Sequence, residues 1–143
     1  VLPERFAEML AEALGNQERL RPRGELSADE AAAIATRRAF YEVRTAHHPD
    51  TLQWCSPGST AWTVVYEADP EFQVSCLNRF IYVKGTAGIE EALRGADAFR
   101  GKISTVGLAA PEDKAGELAT RLARCAQNRG MCLPRLVRPR WTS

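Results

Sequence analysis

Histidine is nearly absent from the 143 residues, and the two present, His47 and His48, are neighbours. Adjacent residues of an extended segment project to opposite sides, so this pair suits a turn better than a two-ligand metal site. The four cysteines, Cys55, Cys76, Cys125 and Cys132, are scattered, with no C-x-x-C pair. That argues against structural zinc and against a disulfide framework, and it fits reduced, mostly buried thiols in a cytoplasmic protein. No apolar run approaches the roughly 20 residues needed to span a bilayer. The opening stretch, Val1 to Leu14, has neither a basic flank before an apolar core nor a small-residue cleavage site, and does not read as a signal peptide. Neither G-x-G-x-x-G nor G-x-x-x-x-G-K-[ST] follows a strand, and G-x-S-x-G is missing, which removes the dinucleotide fingerprint, the P-loop and the nucleophile elbow. No catalytic residue and no metal ligand can be named from these patterns.

Hydrophobic residues make up 45% and charged residues 26% of the chain, the balance of a globular protein. The length suits one α/β domain over residues 1–143 with its own core. The chain starts at Val1 rather than methionine and runs straight into an amphipathic pattern, as expected of a piece of a longer protein. Charge is uneven: residues 1–71 carry seven basic and twelve acidic side chains, whereas residues 72–143 carry twelve basic and six acidic. The basic excess collects late, at Arg121, Arg124, Arg129, Arg135, Arg138 and Arg140 with Trp141 behind them. Such a cluster can contact phosphate groups, but it reads rather as a solvated helix face followed by a loose tail, and no nucleic-acid partner is expected.

Along the chain, Pro3 suits a first helical turn, Phe6, Met9, Leu10, Ala13 and Leu14 recur at helical spacing, and Gly15-Asn16 supplies a stop. A charged loop from Gln17 to Leu26 leads to Ser27-Ala28-Asp29-Glu30, a capping box opening a second helix to about Arg44, which His47-His48-Pro49-Asp50 ends. Thr51 to Cys55 and Ala61 to Glu67 predict a β-hairpin around Ser56-Pro57-Gly58-Ser59. Phe80 to Val83 reads as a strand, Ile89, Ala92, Leu93 and Phe99 as a short helical face, and Ile103 to Leu108 as another buried strand. Pro111-Glu112-Asp113 opens a last helix with Leu118, Leu122 and Cys125 on its buried face. Strand, helix, strand, helix predicts a βαβα unit in which 80–83 and 103–108 lie parallel and adjacent. Glu90-Glu91 and Glu112-Asp113 fall in first helical turns and read as caps, and Cys55 as a turn cysteine whose thiol is open to solvent.

The stretch Thr60-Ala61-Trp62-Thr63-Val64-Val65-Tyr66-Glu67, then Asp69-Pro70-Glu71-Phe72, then Leu77-Asn78-Arg79 leading into Phe80 to Lys84, resembles the acyl-CoA reductases. These are the fatty-acid reductases of bacterial bioluminescence, within the aldehyde dehydrogenase superfamily. The resemblance continues through Glu90 to Leu93, Ser104 to Leu108 and Glu117 to Ala123, and covers nearly the whole chain. It implies the C-terminal part of an aldehyde-dehydrogenase catalytic domain: helices, a hairpin, then parallel strands with helices. It also implies reduction of an acyl thioester such as acyl-CoA to an aldehyde by NADPH or NADH, through a thioester on a cysteine that belongs upstream of this segment, as does the dinucleotide-binding half. None of the four cysteines here matches that nucleophile, so the isolated chain is expected to be inactive and to bind no cofactor alone. Glu71-Phe72 resembles the Glu-x-Phe element whose glutamate touches the cofactor ribose, although Gln73-Val74-Ser75 stands where that element continues with glycine and proline. Glu71 is therefore either a cofactor-binding residue or a plain polar loop residue. The upstream half of the same enzyme and a second copy are the implied protein partners. The alternative is a non-catalytic binding or scaffold module that keeps the fold and uses its basic tail for a partner.

Overall fold

The computed structural model describes residues 2–103 and 105–126, with backbone alone for 124–126. The order is α1 (Pro3–Leu20), α2 (Ala28–His47), β1 (Thr51–Cys55), β2 (Thr63–Glu67), β3 (Phe80–Lys84), α3 (Ile89–Gly95), a 3-10 turn (Asp97–Phe99) and α4 (Glu112–Ala126). The fold is mixed α/β, and it divides into two compact units, Val1–Thr86 and Ala87–Ser143.

In the first unit the strands lie in the order β1-β2-β3. β1 and β2 are the expected hairpin, pairing antiparallel with Thr51 opposite Glu67 and Cys55 opposite Thr63. Its turn places Gly58 at φ +64°, a conformation that costs glycine nothing. β2 and β3 pair parallel, Thr63 opposite Phe80 and Glu67 opposite Lys84.

Successive residues of a strand face opposite sides, so Val64 and Val65 serve two cores. Val64 and Val83 bury against Ala7 and Ala11 of α1, with Leu10, Leu14, Trp54, Trp62 and Tyr66 around them. Val65 and Phe80 bury against Ile34 and Tyr41 of α2, with Leu26, Cys76 and Tyr82. A sheet covered by a helix on each face explains why Thr63 to Tyr66 shows no apolar–polar alternation. Phe6 and Met9, part of the apolar pattern of α1, lie exposed.

The Ser27–Glu30 capping box is present, with both reciprocal bonds made. By contrast, α1 passes the expected stop at Gly15-Asn16 and continues to Leu20. Gly15 packs beside the Trp62 ring, where a Cβ would stand 3.7 Å from Cζ2. One turn later Glu18 accepts from the Arg23 amide at 3.0 Å and pairs with Arg79. These tertiary bonds outweigh a local glycine penalty of about 1 kcal/mol.

In the second unit, α3 and α4 form where expected, with Glu90, Glu91, Glu112 and Asp113 in their first turns. Glu91 accepts from the Ala87 amide at 2.6 Å, and Arg121 pairs with Glu90 and Glu117. Leu118 and Leu122 are half-buried, and the Cys125 side chain lies outside the described residues. The strand expected at Ile103 to Leu108 is a correction: residue 103 and residues 105–108 carry no strand. The parallel partner of β3 is β2, joined to it by residues 68–79 without a helix. β-branched composition fits a strand only where a neighbour supplies a ladder, and Gly107 interrupts this run.

Candidate functional site

Ligands of open α/β sheets gather outside the carboxyl ends of the parallel strands. Here β2 ends on Glu67 and β3 on Lys84, and the two are register partners. The Glu67 carboxylate is 1% exposed. A charge so buried must be paired, and its neighbours supply the pairing. Lys84 Nζ stands 2.6 Å from Glu67 Oε2, and Arg44 Nε of α2 stands 3.0 Å from Oε1. The Tyr41 hydroxyl lies 3.2 Å from Glu67 Oε2 and 2.6 Å from Gln73 Oε1, while Gln73 Nε2 donates to Glu67 at 3.3 Å. Lys84 also reaches Asp69 Oδ1 at 2.9 Å. Two carboxylates and two cations balance.

Burial and the nearby Tyr82 and Glu67 push the Tyr41 phenol well above its ordinary range, so it stays a proton donor. Burial likewise raises Tyr82 and the Cys76 thiol. A neutral hydroxyl beside a buried carboxylate stabilises its charge without adding another.

Residues 68–79 leave this edge and return to start β3. Ala68 donates to Asp50 O at 3.0 Å, and the Glu71 amide donates to Asp69 Oδ1 at 2.9 Å, an Asx turn. Glu71 is exposed, and among the described residues no group bonds its carboxylate. Phe72, Val74 and Leu77 are exposed too. The segment ends on three consecutive left-handed residues, Leu77, Asn78 and Arg79, at φ 63°, 54° and 62°. Each conformation of this kind costs roughly 1–2 kcal/mol outside glycine. Tertiary bonds hold it: Arg23 to Asn78 O at 3.3 Å, Asn78 Nδ2 to Glu30 Oε1 at 3.2 Å, Arg79 to Arg21 O at 3.0 Å, and the Arg79–Glu18 pair.

Other candidates stay apart from this edge. Cys55 is exposed at the far end of β1 and Cys76 is half-buried, so neither is the fully buried thiol expected of most cysteines here. His47 and His48 are exposed at the end of α2. Among the described residues no group of three metal-ligating side chains gathers, and no helix is long and apolar enough to cross a membrane. On the α1 face a groove of about 760 Å³ lies between α1 and the hairpin, lined by Glu8, Glu12, Trp54 and Trp62 among others. Cys132, Arg129, Arg135, Arg138, Arg140 and Trp141 lie outside the described residues, as does the Arg124 side chain.

Residues 1–131 match the family model described as Acyl-CoA reductase (LuxC). The chain belongs to this acyl-CoA reductase family. No curated protein and no solved structure matches it. The LuxC match runs through both units, and so takes in the edge built by Glu67, Lys84 and the 68–79 segment. Sequence reasoning singled out Glu71 from this region and missed Glu67, Lys84, Tyr41 and Asp69. A signal existed: strands Ala61 to Glu67 and Phe80 to Lys84 end on opposite charges, as adjacent parallel strands with a shared polar end would.

Proposed function

We propose that the chain is the C-terminal part of the catalytic domain of a cytoplasmic acyl-CoA reductase, which reduces acyl thioesters to aldehydes with NADPH or NADH. The LuxC family match over residues 1–131 carries this reading. The nicotinamide cofactor, when bound, supplies the hydride. Among the described residues we take Glu71 as the candidate to contact it. Its carboxylate is exposed and uncommitted among the described residues, and its backbone is fixed by the Asp69 turn. An uncommitted carboxylate carried on a held backbone can accept hydrogen bonds from a ribose hydroxyl.

The nucleophile is proposed to come from the upstream half of the enzyme. A thiolate that attacks a thioester carbonyl needs a neighbouring base or cation to form, and oxyanion donors opposite it. Cys55 stands at a strand end, and the Cys76 thiol is pushed toward its neutral form by burial, the opposite of activation. The 143 residues would therefore complete the catalytic domain, help shape the acyl channel and support one cofactor contact, without turnover of their own.

The test is Glu71→Gln in the complete reductase. A hydrogen bond from a ribose hydroxyl to a charged acceptor is worth about 1.5–3 kcal/mol, so cofactor use should weaken tenfold or more. Unchanged KM and kcat would leave Glu71 a plain loop residue.

A further inference from the structure

We infer that Lys84 is a positioning residue for the cofactor-facing loop: its ammonium ties Asp69, and through Asp69 the backbone of Glu71, to the buried Glu67. This rests on the reading of Glu71 given above. One nitrogen makes both links, 2.6 Å to Glu67 Oε2 and 2.9 Å to Asp69 Oδ1. The same Asp69 Oδ1 accepts the Glu71 amide at 2.9 Å, so ammonium, carboxylate and amide form one continuous path from the sheet to the loop.

The anchor of that path is firm. Glu67 closes β2, lies opposite Lys84 in the ladder, and is held further by Arg44 and Tyr41. The far end has little structure of its own, since residues 68–74 form neither helix nor strand. The start of the segment is seated on the exit of β3: Gly85 donates to Glu67 O at 2.9 Å, and a Cβ on Gly85 would stand 3.3 Å from Ala68 Cα. A compact ammonium can sit between two carboxylates at such distances, whereas a planar guanidinium distributes its donors over a wider fork. Without the ammonium, Glu67 and Asp69 are two like charges two residues apart, and repulsion drives the half-exposed Asp69, with Glu71, away from the sheet.

The experiment uses the complete reductase carrying Lys84→Met, Asp69→Ala or Glu71→Gln. Hydrogen exchange is read at residues 69–74 and at β2, and NADPH binding by direct titration. With Lys84→Met, loss of one tether should speed exchange at the Glu71 amide about tenfold through local opening, while the Val64 and Val65 amides report only the loss of global stability that follows from breaking the buried pair. NADPH affinity should fall by a similar factor while the KM for the acyl thioester stays put. Lys84→Arg should restore only part of either effect. If Lys84→Met does not fold, Asp69→Ala, which cuts the path at a half-exposed residue, should give the same two effects. Exchange at 69–74 that stays unchanged in a folded variant overturns the tether, whatever Glu71→Gln does. Faster exchange with unchanged NADPH affinity upholds the tether and refutes Glu71 as the cofactor contact.

Discussion

Glu67 and Lys84 face each other across the last rung of the parallel pair, and their side chains close to 2.6 Å at a carboxylate that solvent scarcely touches. An ion pair in such a place is costly to break from one side and much cheaper to replace whole.

Glu67→Ala should therefore cost about 3 kcal/mol in the stability of the folded protein, the lower end for a buried pair because Arg44 keeps part of its hydration. Glu67→Met combined with Lys84→Met should recover more than half of that loss. Urea unfolding of the unsubstituted protein, Glu67→Ala, Glu67→Met, Lys84→Met and the double variant measures both. A double variant as unstable as the sum of its parts would mean that the two residues act independently.

Alkaline stability should reveal Tyr41 and Tyr82. Both phenols are raised by burial above their ordinary value of about 10. In this range the unfolded chain releases its protons while the folded one retains them, so stability is complete below about pH 10 and falls as pH rises further. For Tyr41, the strongly raised one, the slope should approach about 1.4 kcal/mol per pH unit, and Tyr82 adds to it in the same direction. Tyr41→Phe should flatten the curve by about one tyrosine's share, read from denaturation midpoints across that range. A curve with the same slope in Tyr41→Phe would remove Tyr41 from this account.

How much of this was readable beforehand differs by element. The capping box at Ser27 and Glu30, the hairpin turn at Pro57-Gly58 and the start of α4 at Pro111 are local signals, and local chemistry produces them. The end of α1 was misread because Glu18 is held by Arg79, some sixty residues away in sequence. The run Ile103 to Leu108 has strand composition without a strand, because a ladder needs a partner that composition cannot reveal. Glu71 was singled out by resemblance and its role is a proposal, whereas the Glu67–Lys84 pair needed the β2–β3 register to bring its two residues together.

Leu77 combines a left-handed backbone with an exposed side chain. Leu77→Gly should relieve the backbone at little loss of burial and raise stability by about 1 kcal/mol. Leu77→Val, β-branched, should lower it. Thermal unfolding of the pair decides the sign, and destabilisation by glycine would show that the leucine side chain contributes a contact of its own.

Cys55 is exposed at the end of β1, with Arg38 binding the adjacent Ser56 rather than the thiol. Cys55→Ser in the complete reductase should leave turnover within about twofold, since no transition-state contact is lost. A collapse of kcat would make Cys55 the nucleophile.

On the proposed function, these residues complete an acyl-CoA reductase without supplying its nucleophile. The most direct measurement follows NADPH and NADH absorbance with acyl-CoA of several chain lengths, using the isolated chain and then the complete protein. Correct placement of the reacting groups can be worth about 7–11 kcal/mol, and no cysteine described here has the partners to gain it. Cofactor oxidation and aldehyde formation are expected from the complete protein alone. Robust turnover by the isolated chain, abolished by Cys55→Ser, would contradict that expectation.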